Sequence, residues 1–334
     1  MKEKVDFIIT WVDNNDDKWQ KERNKYSMVS NKNNESNSVI RFRDWNILKY
    51  WFRAVEKNAN WVNKIYFVTC GHLPKWLNTD NEKLVIINHK DYIPEEFLPT
   101  FNSNVIELFF NRIPNLSEKF VYFNDDVFIV NKILPDYFFS GELPKDTLVF
   151  NSVSVNSENT IIEHTILNNL EILSKYFSKK DVLKNNKGKV YNIKYGKDIL
   201  KSILLRPWEN FTGINNYHTA MPYLKSTWDK IWDLEKDSLY NMGNNKFRTK
   251  NDINHWLIKY WQMFEGKFIP VSQKKNKYYD LQNNNSKFYK ELKNKKYNIV
   301  CINDSNEALE YEKIKNELVC VFDQMFPEKC KFEK

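Results

Sequence analysis

Asn124-Asp125-Asp126 sets two adjacent carboxylates and an amide inside the otherwise apolar run Lys119–Val130. A parallel strand covered on both faces can be almost wholly apolar, so the cluster belongs at a strand end or a kink, where ions meet water. Ligands in open α/β sheets bind at the carboxyl ends of strands. Paired carboxylates there suit a divalent cation, and the cation in turn suits a phosphate-bearing substrate. A solvated turn with two surface aspartates is the plainer alternative, and the aromatic and β-branched residues on both sides weigh against it.

Further residues could serve such a substrate. Arg41, Arg43 and Arg53 surround a first helix, and a planar guanidinium clamps a phosphate with two parallel hydrogen bonds. Surface ion pairing is the competing role for each. His218, in Asn215-Asn-Tyr-His-Thr-Ala-Met-Pro222, suits a general base because imidazole titrates near neutrality. His255 stands in an aromatic helical stretch and reads as packing. Arg248 could offset the charge that builds up in phosphoryl transfer. Asp252, four residues later, fits either the site or a helix N-cap. Walker glycines, Gly-x-Gly-x-x-Gly and Gly-x-Ser-x-Gly are all absent from the sequence, which argues against ordinary ATPase, Rossmann dehydrogenase and α/β-hydrolase chemistry.

The elements that must position these groups follow from the hydrophobic pattern. Val5–Val12 reads as a first buried strand emptying into the acidic turn Asp13–Asp17, and Asn31–Ser38 as a polar loop. Helical spacing begins near Asp44. Lys64–Thr69 and Leu84–Asn88 are further strands, Ser103–Asn111 a helix, and the Asn-Asp-Asp segment the next strand. Up to about residue 155 the succession predicts an α/β fold, a mostly parallel sheet with flanking helices. From about 160 to 265 the pattern is mainly helical, with Ile161–Phe177, a helix opened by Pro222, and a run from Asp252 through Trp256, Leu257, Tyr260 and Trp261. Asn298–Ile302 reads as a returning strand and Asn306–Leu318 as a helix.

Composition bounds the rest. The 334 residues, 42% hydrophobic and 16% aromatic, supply material for a large core, and 7 glycines with 10 prolines exclude a fibrous chain. A formal charge of +8 permits phosphorylated metabolites or an anionic membrane face and selects neither. The Lys-rich segments lack the character of a nucleic-acid arm, so no nucleic acid is expected. Four scattered cysteines without zinc-site spacing fit a reducing, cytoplasmic location. The N-terminus is too short and too quickly charged for a signal peptide or a span, so membrane association is expected to be peripheral, at the inner face.

Taken together, the motifs resemble the Stealth family of bacterial capsular-polysaccharide phosphotransferases, related to the catalytic core of the animal N-acetylglucosamine-1-phosphotransferase. Asp6-Phe-Ile-Ile-Thr-Trp-Val-Asp13 with Asp16 is similar to the family's first region. Arg41-Phe-Arg-Asp44, Arg53, Trp61–Thr69 and the run from Leu98 through Glu107 to Asp126 resemble the second. His218 with Pro222 is similar to the third, and Phe247-Arg248 with Asp252 to the fourth. Relatives usually carry glycine at Asn14, glutamates at Asn46 and Ile47, and histidines near Asn104 and Asn111.

The resemblance implies a fold like a modified nucleotide-sugar (GT-A-like) transferase, with a nucleotide-sugar-binding core over 1–155, a helical part over 156–265 and a C-terminal strand and helix over 266–334. It implies transfer of a sugar 1-phosphate from a UDP-sugar to a hydroxyl of a polysaccharide or oligosaccharide acceptor, with release of UMP. In that scheme Asp125, Asp126 and Asn124, with Asp252, hold Mg²⁺ or Mn²⁺. Arg248 and one of Arg43 or Arg53 offset phosphate charge, and His218 takes the acceptor proton. Trp11, Asp13, Asp16 and Arg41 complete the donor site. A metal-dependent glycosyltransferase releasing UDP would use the same carboxylates, and a non-enzymatic glycan- or nucleic-acid-binding module would need none of them.

Overall fold

The computed structural model describes residues 4–29, 44–155, 160–305 and 308–334. The chain begins with β1 (Val5–Thr10), α1 (Asp17–Val29), α2 (Leu48–Asn58), β2 (Ile65–Thr69), β3 (Leu84–Asn88), α3 (Ser103–Leu108) and β4 (Lys119–Phe123). It continues through β5 (Val127–Ile129), the short β6 (Phe139–Ser140) and β7 (Leu143–Asp146), then α4 (Ile161–Ser174), α5 (Lys179–Asn185), α6 (Lys187–Val190) and α7 (Ile199–Leu204). After β8 (Met221–Leu224) come α8 (Lys225–Leu234), α9 (Lys236–Gly243), α10 (Trp256–Phe264), β9 (Ile269–Pro270), β10 (Asn276–Asp280), α11 (Ser286–Lys293), β11 (Ile299–Asn303) and α12 (Tyr311–Met325).

A five-stranded sheet runs β3-β2-β1-β4-β8, parallel except for β8. Its strands are mostly apolar because both faces are covered. Successive side chains alternate between two cores: Phe7, Ile9, Phe67, Val121 and Phe123 enter one, and Ile8, Tyr66, Val68, Phe120 and Tyr122 the other. The first core also takes in α2, β11 and α12, and the second takes in α8 and α10. Buried Asp6 pins the loops below β1, its carboxylate accepting from Asn63 Nδ2 (2.6 Å), the Lys64 amide (3.1 Å) and the Ser117 amide (2.8 Å). Among the described residues, no helix is long and apolar enough to cross a membrane.

The segment expected as one interrupted strand is two. β4 belongs to the parallel sheet, while β5 pairs antiparallel with β11 in a separate three-stranded sheet, β10-β11-β5. Asn124-Asp125-Asp126 is the turn that carries the chain from one sheet to the other. Pro222 does not open a helix. It lies in β8, an edge strand, at the same outward amide position as Leu224, whose N–H reaches Gln262 Oε1 of α10 at 2.8 Å. Proline, with no N–H to satisfy, is tolerated there. The last helix is displaced from the expected Asn306–Leu318 to Tyr311–Met325, and residues 306–307 lie outside the described chain, as does the expected loop Asn31–Ser38.

Arg53 requires a correction. Buried on α2, it grips Glu333 with two hydrogen bonds (Nε to Oε1, 2.6 Å; Nη2 to Oε2, 2.7 Å) and donates to the Phe326 carbonyl at 2.9 Å. Its donors are committed to fastening the C-terminal segment onto α2, so it serves no phosphate. Removing one partner of a buried pair strands the other charge. Arg53→Ala is expected to cost about 3 kcal/mol of stability in urea denaturation, and Arg53→Met/Glu333→Leu to recover most of that loss.

Candidate active site

A cavity of about 1160 Å³ opens at the carboxyl ends of β1 and β4. Its wall includes Thr10 at the end of β1 with Trp11 and Asp13 after it, Asn124, Asp125 and Asp126 after β4, Ser103 and Glu107 of α3, and the loop residues Tyr217, His218 and Arg248. This is where a mostly parallel sheet leaves its binding crevice. The chain reaches His218 past Gly213 (φ 149°), where an added Cβ would come within 2.8 Å of the Asn151 carbonyl.

At the sheet-to-sheet turn, Asp126 Oδ2 accepts from the Cys301 thiol at 3.2 Å and lies 3.6 Å from His218 Nε2. The backbone is fixed too, with the Ile302 amide on the Asp126 carbonyl (2.8 Å). Asp126 Oδ1 and Asn124 Oδ1 are buried and have no hydrogen-bond partner among the described residues. Asp125 opens toward the cavity, yet the protein packed around it, and after that the charge of Asp126, push its carboxyl up to about 7. Burial alone would lower His218; the hydrogen bond and charge of Asp126 outweigh it and hold the imidazole above its ordinary value. Crowded oxygens that lack donors fit a cation well. Cys301 Sγ and a His218 ring nitrogen stand beside Asp126, the three atoms within 4.8 Å of one another; burial, then the charge of Asp126, hold the thiol well above its ordinary value, so it stays protonated and leaves the carboxylate and amide oxygens as the ligand set.

A second group lines the cavity behind these residues, centred on Glu107, to which the sequence pattern gave no role. Glu107 Oε1 accepts from Tyr122 OH (2.9 Å), which is 3.1 Å from Thr10 Oγ1, and Glu107 Oε2 lies 3.6 Å from His255 Nε2. His255 is buried as expected, with Nδ1 2.5 Å from Tyr223 OH. Burial, then the charge of Lys259, push it well below its ordinary value and keep it neutral. Burial raises Glu107 to about 7 against the opposing pull of Arg248. Arg248 itself donates Nε and Nη2 to Ser103 Oγ, the first at 3.1 Å, which turns its guanidinium into the cavity wall beside Glu107.

Asp252 is neither a ligand nor a member of the cavity wall. Fully buried, it receives Nδ2 of Asn102 (2.8 Å) and Asn104 (3.0 Å) on Oδ2, and Asn245 Nδ2 and Thr249 Oγ1 (2.9 Å each) on Oδ1. Those four donors fill the carboxylate's lone-pair sites. Its work is to lock the loop that carries Arg248 against the start of α3. Asp16 is likewise a helix cap: Oδ1 takes the Lys18 and Trp19 amides (2.8 and 3.0 Å), and Oδ2 lies 3.4 Å from His72 Nδ1. His72, unremarked in the sequence, is swung back by Gly71 (φ 117°) and accepts the Asp13 amide on Nε2 at 2.7 Å. Trp11 and Asp13 do face the cavity, with Trp11 packed edge-on to His72. Arg41 and Arg43 lie outside the described residues.

Residues 41–147 match the family model of Stealth protein conserved region 2. The chain is 46% identical over 332 residues to a capsular polysaccharide phosphotransferase, WcwK, of Streptococcus pneumoniae, covering 99% of this chain and 98% of that one. It is 39% identical to the receptor polysaccharide phosphotransferase WefC of Streptococcus oralis, covering 99% of both chains, and 38% identical to the exopolysaccharide phosphotransferase cps2G of Lactiplantibacillus plantarum, covering 99% and 96%. A solved structure described as the WbbM bifunctional glycosyltransferase in apo form aligns at 12% identity over 98% of this chain and 50% of its own, with a TM-score of 0.40, too low to carry an argument. These relatives define the class: the protein is a transferase, an enzyme that moves phosphate-containing groups. The chain belongs to the Stealth family of phosphotransferases. Membership sets aside the reading as a non-enzymatic binding module.

Glu107 sets a pH dependence. Between its ordinary 4.5 and about 7, the folded chain holds a proton that the unfolded chain has released, so stability falls as pH rises through that window. Glu107→Gln removes this loss. Its stability relative to wild type is expected to rise by up to about 3 kcal/mol from the bottom of the window to the top, read by denaturation at a series of pH values.

Proposed function

We propose that the protein transfers a sugar 1-phosphate from a UDP-sugar to a hydroxyl of a polysaccharide acceptor. The acceptor oxygen attacks the sugar-linked phosphorus, the bridging P–O bond to the uridine phosphate breaks, and UMP departs, leaving a phosphodiester. The observation that carries this reading is the meeting of Asp126, His218 and Arg248 in one cavity at the strand ends. The relatives' names, all polysaccharide phosphotransferases, support the acceptor class.

His218, held beside Asp126, takes the acceptor's proton on its imidazole. Arg248, braced by Ser103, faces the oxygens on which charge builds. Trp11 offers a ring for the uracil or ribose, and Asp13 a carboxylate for sugar hydroxyls. Asn124, Asp125 and Asp126 are the residues that would hold Mg²⁺ or Mn²⁺. A cation bound there supplies charge neutralisation on the pyrophosphate. Asp252 keeps Arg248 in place and touches no substrate.

A metal-dependent glycosyltransferase would break the bond between anomeric carbon and phosphate and release UDP. Incubation with UDP-sugars, a divalent cation and a capsule-type oligosaccharide separates the two. UMP by chromatography with a new phosphodiester signal in phosphorus NMR is expected, while UDP with no phosphorus on the acceptor would sink the transfer of sugar 1-phosphate. His218→Ala should lower kcat by about 10²–10⁴-fold. Asp252→Asn should lower it through the Arg248 loop, leaving donor affinity within about threefold, because no substrate contact is lost.

A further inference from the structure

The helix α7 carries its apolar residues on the outside. Leu200, Ile203 and Leu204 recur at the three- and four-residue spacing that ordinarily buries a helix face, yet they are 57%, 48% and 72% exposed, and Trp208 just beyond is 57% exposed. The side chain turned inward is Ser202, whose hydroxyl accepts the Phe150 amide at 2.9 Å. Buried Lys179 donates to the carbonyls of Leu205 (2.7 Å) and Trp208 (2.6 Å). The patch is therefore held from behind by backbone contacts and is not a frayed end.

Cations frame it. Lys194, Lys197 and Arg206 are exposed and Lys201 partly so, against two acids, exposed Glu209 and Asp198, which Tyr217 OH engages at 2.7 Å. Protein interfaces deplete lysine around an apolar centre, and a symmetric pairing of two copies would bring like charges together. A bilayer with anionic headgroups suits both parts. The apolar side chains enter the acyl boundary, a tryptophan sits at headgroup level, and the cations meet lipid phosphates. The patch also adjoins the cavity: Tyr217, which contacts Asp198, and Asn215, 3.5 Å from Lys201 Nζ, both line it.

We propose that α7 and the turn to Trp208 are a docking surface for an anionic lipid bilayer, presenting the cavity to an acceptor carried on the same surface. The acceptor clause rests on the proposed reaction; the docking clause does not. The test is cosedimentation of the full chain with vesicles of phosphatidylcholine containing one third phosphatidylglycerol, and with phosphatidylcholine alone. Wild type should bind the anionic vesicles, and Leu200→Ser/Leu204→Ser/Trp208→Ser should bind about tenfold more weakly or worse. Should that variant misfold, Lys197→Glu/Arg206→Glu changes only exposed side chains and should weaken binding by a similar factor.

Both variants should keep transfer to a soluble oligosaccharide, so lost docking is distinguishable from lost catalysis. Equal wild-type binding to both vesicle types, or undiminished binding by a folded variant, overturns docking. So does a patch-dependent dimer seen by light scattering, which would assign the face to a second copy. Wild type that binds vesicles but releases no UMP would sink the reaction and leave the docking intact.

Discussion

The structure turns on one constraint: three polar residues must interrupt an apolar strand without being drawn into either core. The chain meets it by changing sheets at Asn124–Asp126, so that β4 finishes the parallel sheet and β5 begins the other. The carboxylates then stand at a junction, backed by β11 and open to the cavity in front. The protein packed around Asp125, and after it the charge of Asp126, keep its carboxyl reluctant to ionise, and a cation that offsets that charge is favoured there. His218 and Cys301 reach the same point from opposite ends of the fold.

Around that junction, placement is achieved mostly by groups that never face a substrate. Asp252 holds the Arg248 loop, His72 holds the turn bearing Asp13, and Asp6 holds the loops at the far end of β1. Asp252 and Asp6 are satisfied by amides and a hydroxyl, and His72 by the Asp13 amide and the Asp16 carboxylate, which fixes these loops more rigidly than a surface ion pair alone would. Aspartates that look interchangeable in the sequence thus divide into those short of hydrogen bonds and those saturated with them.

That division explains what could be read without coordinates. The strands β1 to β4 were legible because double burial leaves an unmistakable apolar run, and the Asn-Asp-Asp break because it violates that run. Pro222 was misread because its fixed φ suits a helix start and an outward edge position alike. Arg53 was misread because a guanidinium grips a carboxylate as it would a phosphate, and its partner lies 280 residues away. Glu107 was visible only as part of a family motif and had no assigned role, and His72 and Cys301 had no local signature; only folding sets them beside Tyr122, Asp13 and Asp126. The short strands β6, β7 and β10 carry too few apolar residues to declare themselves.

The order of strands has a consequence during synthesis. β5 can pair only once β11 exists, and Asp126 receives its backbone and thiol partners from Cys301 and Ile302. Glu333, 280 residues after Arg53, fastens α2. A ribosome-bound chain therefore carries the Asn124–Asp126 turn for 175 residues before Cys301, its thiol partner, is made, and the candidate site stays unfinished until β11 is in place.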